Sequence, residues 1–302
     1  MRKFSIGPAH ITGAWRFWNH IQSLSITQIV EEAERPFTLA LVGTPDQANL
    51  LAARLALETP APRDLGPDGP ANVWPFLQVY AAVRDVPQGH LTLQADPLTA
   101  DESHLAETLA KIVLQNPSLR LSLARHVPAF RPAVVTQLIS ESALHNAKIA
   151  LVSALPGVVP FGDVLMPATA LGDMLLLTKN QGLLLLKIAA AYGKEVDLRE
   201  RSKELLPVVG SAFGWRALAR ELIGLVPGGI GLAVKGAVAY AGTYTVGKAA
   251  AIYYSTGQKL SGPRMKQLYL DAFDEAKLRV RRFRPIRKAP KDVAERRRPR
   301  LR

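Results

Sequence analysis

Hydrophobic and polar positions follow one pattern before residue 117 and another after it. Residues 12–34 set Trp15, Trp18, Ile21, Ile29 and Val30 among polar residues at roughly helical spacing and close on Glu31, Glu32 and Glu34, which predicts a leading amphipathic helix. FTLALV at 37–42 reads as a buried strand, and 45–57 continue as a helix. TPAPRDLGPDGPAN at 59–72 is a loop rich in proline and glycine. VWPFLQVY and LTLQAD follow as two more strands with RDVPQG between them, and a helix from about Asp101 to Gln115 starts on Asp101 or Ser103 as its cap.

After Asn116-Pro117, strand-like alternation largely disappears. Residues 118–256 read as successive helices, many apolar on nearly all faces, broken at LPGVVPFGD, YGKEVD, LLPVVGSAFGW and LVPGGIG. The expected fold class is α+β to mostly α: a small α/β unit with a strand-turn-helix of phosphate-loop shape, then an apolar helical bundle. The expected division is a leading helix in 1–36, the α/β region in 37–116, the helical domain in 117–262, and a short helix near Leu268–Arg279 with a disordered basic tail in 263–302.

Length and charge sharpen this picture. A chain of 302 residues holds one large or two modest domains, and two are expected. The absence of cysteine excludes disulfides, thiolate metal sites and cysteine nucleophiles. The net charge of +13 is concentrated in KLRVRRFRPIRKAPKDVAERRRPRLR, residues 277–302, with thirteen basic and two acidic side chains; the remainder is close to neutral. MRKFSIGPAHITGAWRFW lacks the continuous apolar segment and small-residue cleavage site of a secretory signal, so export by that route is not expected.

The turn after the first strand carries the candidate chemistry. In a phosphate loop, G-x-x-x-x-G-K-[ST], backbone N–H groups cradle the phosphates, the lysine neutralises them and the hydroxyl holds Mg²⁺. Here the positions read Gly43, four residues, then Ala48, Asn49 and Leu50: the cation and the magnesium-binding oxygen are both missing. Thr44, Pro45 and Gln47 instead spell a capping box, in which side chains occupy the helix's free donors. Gly43, Thr44, Asp46, Ala48 and Asn49 are the candidate residues of a vestigial phosphate loop.

NAKIALVSALPGVVPFGDVLMPATALGDMLLLTKNQGLLLLKIAAAYGKEVD, then LPVVGSAFGWRALARELIGLVPGGIGLAVKGAVAYAGTYTVGKAAAIYYSTG, resembles the GTPase-associated helical domain of YcjF-like bacterial proteins, a family of unknown function. The resemblance covers roughly residues 140–257 and rests on ALPGVVP, AAYG and GTYTVGKAAAIYY. Family members often carry an Era-like GTPase domain ahead of it; LVGTPDQANLL then looks like G-x-P-N-x-G-K-S with its catalytic positions replaced. The resemblance implies a GTPase-derived, membrane-associated protein without a transferable reaction.

LLLTKNQ, 175–181, is similar to the guanine-reading [NT]-K-x-D, with Gln181 in place of the carboxylate; in its apolar context a polar patch between helices is the expectation. Residues 149–177 could span a bilayer by length, but three prolines interrupt them and Asp163 and Asp173 place carboxylates inside, each costing about 3 kcal/mol at mid-membrane. Residues 223–247 are cleaner, with only Lys235 charged, and Ala233, Ala237, Ala241, Thr245 and Ala249 recur at four-residue steps that let helix backbones approach closely. The six histidines show no metal-ligand spacing, and Arg120, Arg125 and Arg131 read as partners of local acids or helix ends.

The expected function is that of a noncatalytic, GTPase-derived protein on the cytoplasmic side of the inner membrane or docked to a protein partner, with a homo-oligomer through the Ala233, Ala237, Ala241 seam. No catalytic residue, metal or cofactor is expected. The alternatives are a GTP- or ATP-binding hydrolase with a non-standard phosphate loop, and a protein that binds nucleic acid nonspecifically through the tail; the alternative localisation is soluble cytoplasmic.

Overall fold

The computed structural model describes residues 26–37, 39–42, 44–57, 79–80, 91–95, 101–152, 166–197, 200–201 and 232–282. Trp15, Trp18, Ile21, Gly43, the 59–72 loop and the tail after Arg282 lie outside them, as do three of the four expected breaks between helices. Helix dominates. The order is α1 (residues 26–33), β1 (Leu39–Val42), α2 (Pro45–Arg54), β2 (Val79–Tyr80), β3 (Leu91–Gln94), α3 (Glu102–Gln115), α4 (Arg120–His126), a 3-10 turn at Pro128–Phe130, α5 (Arg131–Val152), α6 (Met166–Ala191), α7 (Leu232–Thr256) and α8 (Gly262–Arg282).

The three short strands form a parallel sheet in the order β2-β1-β3, with Leu39 opposite both Val79 and Leu91. Leu39 and Leu41 are fully buried, as the apolar run at 37–42 requires of a central parallel strand. Leu51 and Leu55 of the following segment are buried at a four-residue step, so α2 turns one apolar face inward. Asp101 caps α3 as expected: its carboxylate accepts from the Ser103 N–H at 2.8 Å and from the Ser103 hydroxyl.

One buried cluster runs from Ile29, Phe37, Leu39 and Leu41 through Phe130, Ile139 and Ile188 to Ala250 and Met265, so the sheet layer and the helices share an interior. A second, smaller cluster joins Ala143 and Ala147 of α5, Ala237, Tyr240 and Ala241 of α7, and Tyr269, Ala272 and Phe273 of α8. Small residues set this spacing. A Cβ added at Gly247 would stand 2.8 Å from Ile139 Cγ1, and one at Gly236 2.9 Å from Leu151 Cγ, so α7 lies on α5 at a distance only glycine permits.

The four-residue small seam is therefore used inside the chain. Ala237 and Ala241 are completely buried in one cluster with residues of α5 and α8. Helix α8 starts at Gly262, ahead of the expected start near Leu268; Pro263 is tolerated in the first turn because it lacks only an N–H that has no helical partner anyway. Among the described residues, no helix is long and apolar enough to cross a membrane.

Candidate functional site

Polar side chains gather at two places: the turn after β1 and the crossing of α5, α6 and α7. The turn sits at the carboxyl end of the central strand, where β2 and β3 flank β1 on opposite sides; open α/β sheets hold ligands at such switch points. The residues there are already engaged with one another. Thr44 N–H donates to Gln47 Oε1 at 3.0 Å, and Gln47 N–H donates to Thr44 Oγ1 at 3.4 Å, which is the reciprocal capping box. Asp46 lies in the first turn, where it suits the helix dipole but repels a phosphate. Thr44, Asp46 and Asn49 are exposed, and Leu50 is exposed in the place of the metal-binding hydroxyl. Of the expected site residues, Ala48 lies within α2, and Gly43 falls outside the described residues.

At the helix crossing, the patch expected around TKNQ is present and wider than its own segment. Asn180 Nδ2 donates to Asn146 Oδ1 at 2.8 Å, and Asn146 Nδ2 donates to Thr243 Oγ1 at 2.9 Å. Gln181 Nε2 also donates to Thr243 Oγ1, at 3.2 Å, and that hydroxyl in turn donates to the Ala239 carbonyl at 2.9 Å. Asn146 and Thr243 are completely buried, so three helices are pinned by a polar knot in an apolar interior. Neither residue carried a signal in the sequence beyond being polar in a helix.

A cleft of about 440 Å³ opens beside this knot, between α5 and α6. Glu141, His145 and Lys148 line it from one face of α5, and Asn180, Leu183 and Lys187 from α6, each set at helical steps of three and four. Arg120 closes one end, with its two terminal nitrogens on the two oxygens of Glu141 at 2.8 and 2.6 Å. Gln137 donates a third bond to Glu141 Oε1 at 2.9 Å. Burial works to raise the Glu141 pKa, but the bonds from Arg120 and Gln137, with the charges of Arg120 and Lys187, hold it below the usual carboxylate value. Lys187 bonds Glu32 of α1 at 2.8 Å.

The other two arginines close a helix end. Arg125 Nε meets Glu34 at 2.7 Å while its Nη1 donates to the carbonyls of Ala190 and Lys194. Arg131 Nε donates to Ala124 and Ala191 carbonyls at 3.1 and 3.2 Å, and its guanidinium lies 5.6 Å from the Tyr192 ring centre. Cations at the negative end of α6 are thus structural, as expected of this trio. Beside them, burial lowers the His126 pKa. The Glu34 carboxylate, 3.8 Å from His126 Nε2, and a backbone hydrogen bond at Ala33 oppose this shift, the Arg125 charge adds to it, and burial prevails.

Among the described residues, no three His, Cys, Asp or Glu side chains gather as metal ligands. Comparison with protein-family models, curated proteins and solved structures finds no match to this chain.

Proposed function

We propose that the chain is a noncatalytic docking protein, derived from a GTPase as the resemblance to YcjF-like proteins implies, that binds an anionic membrane surface or a protein partner. The supporting observation is the closed turn at the start of α2. Its Thr44 N–H, a donor that a phosphate would use, is spent on Gln47, and neither a cation nor a metal-binding oxygen stands where the loop needs one. The parallel neighbours of β1 agree with descent from a nucleotide-binding sheet.

Membrane attachment, in this reading, is peripheral and uses the basic residues 277–302, each worth about 1 kcal/mol near an anionic leaflet. The test pairs two measurements on the full chain. GTP and ATP binding is titrated with and without Mg²⁺; no binding below millimolar concentration is expected, and micromolar, Mg²⁺-dependent binding overturns the reading in favour of a hydrolase. Sedimentation with phosphatidylglycerol vesicles is expected to fall when residues 283–302 are deleted. If duplex DNA is bound and vesicles are not, the nucleic-acid alternative replaces it.

A further inference from the structure

We infer that the cleft between α5 and α6 binds a phosphate group, borne by a small molecule or a lipid headgroup, through Lys148 and Lys187 beside the amide of Asn180. Three fixed cations, Arg120, Lys148 and Lys187, line the cleft against one carboxylate, Glu141. That carboxylate is saturated: both of its oxygens accept from Arg120 and one also from Gln137, so its charge is compensated in place. Lys148, by contrast, is exposed and makes no ion pair among the described residues, and Lys187 spends one of its three donors on Glu32.

The remaining donors decide the class of anion. The planar guanidinium of Arg120, the group best matched to a flat carboxylate, is committed to Glu141. What is left are two ammonium groups, the Ser142 hydroxyl and the second N–H of Asn180, all lining the same cleft. Point charges with several donors each suit a tetrahedral oxyanion, whose acceptors spread in all directions. The floor is rigid, because Asn180 is tied to the buried Asn146. Leu138, Leu183 and Leu184 supply apolar wall for whatever carries the phosphate, and the volume is within the range of small-ligand sites.

The experiment measures thermal shift and equilibrium binding of the full chain with glycerol 1-phosphate, with glycerol, and with phosphatidylcholine vesicles containing phosphatidic acid, at constant ionic strength. Saturable binding of glycerol 1-phosphate but not glycerol is expected, weakened about tenfold by Lys148→Ala, the loss of one charge-assisted bond. Lys235→Ala, an exposed lysine on α7, and Thr44→Ala at the turn after β1 are expected to leave it unchanged. Lys148-dependent binding to the vesicles in preference to the soluble ester supports the site and identifies the headgroup as the source. Three outcomes overturn it: no saturable binding to either phosphate, equal effects of the Lys148 and Lys235 substitutions, or binding lost with residues 283–302 and indifferent to Lys148.

Discussion

Asn146 and Thr243, 97 positions apart in the chain, meet amide to hydroxyl at 2.9 Å with no solvent around either. The hydroxyl accepts twice and donates once, so removing it orphans more than one group. Thr243→Val is expected to destabilise the fold by about 1–3 kcal/mol, since the Asn146 and Gln181 amides lose their acceptor and the former is buried. Thr243→Ser should restore most of that. Urea unfolding midpoints at unchanged slope are the measurement; a Val variant as stable as the parent would show the knot to be dispensable.

The glycines of α7 separate two effects that are usually mixed. Gly247→Ala places a methyl 2.8 Å from Ile139 and 3.1 Å from Leu184, inside a packed interior, and is expected to cost about 1–3 kcal/mol. Gly242→Ala on the same helix meets nothing within 4 Å and should instead gain roughly 0.5–1 kcal/mol from helix propensity. Opposite shifts in melting temperature for the two variants check the close approach of α7 to α5.

Helices α2 and α6 end in the same hydrogen-bond pattern with different residues at the left-handed position. After α6, Gly193 (φ 76°) donates to Ala190 and Lys194 to Ala189; after α2, Ala56 (φ 53°) donates to Ala53 and Leu57 to Ala52. An alanine there is strained by roughly 1 kcal/mol. Ala56→Gly is therefore expected to raise stability by about that amount and Gly193→Ala to lower it, both read by denaturant unfolding.

Acid should weaken the protein through His126 and Glu141. Burial depresses the folded-state pKa of His126, so the unfolded chain binds the proton more readily. The stability this contributes is present above the ordinary value of 6.5 and is lost as pH falls through the lower folded value. Glu141 acts in the same direction further down: its pKa lies below 4.5, so its contribution holds above 4.5 and is lost as pH falls through the folded value. His126→Gln is expected to flatten the fall in melting temperature between about pH 7 and about pH 5, the imidazole range. Glu34, Arg125 and Phe37 are the side chains facing it.

Local signals made much of this fold legible. FTLALV exposed β1 because an unbroken apolar run of that length suits a buried parallel strand, and Thr44-Pro45-Asp46-Gln47 exposed a cap because its bonds span only three residues. The arginines were legible as helix-end partners, though not which end. What stayed hidden depends on neighbours far along the chain. The cleft exists only once the Glu141-His145-Lys148 stripe meets Asn180-Leu183-Lys187, and each stripe alone looks like an ordinary solvated face. Ala56 gave no sign of a left-handed turn because alanine is a helix former.

The segment leading into the central strand is moored to the helices three times within four residues: Glu32 to Lys187, Glu34 to Arg125, and the Arg35 carbonyl to the Ser122 hydroxyl at 2.6 Å. Strand β1 consequently starts from a fixed post, and its placement does not rest on the short sheet around it. A chain trimmed to begin at residue 38 would keep every strand and still lose the anchorage that tells the sheet where to lie.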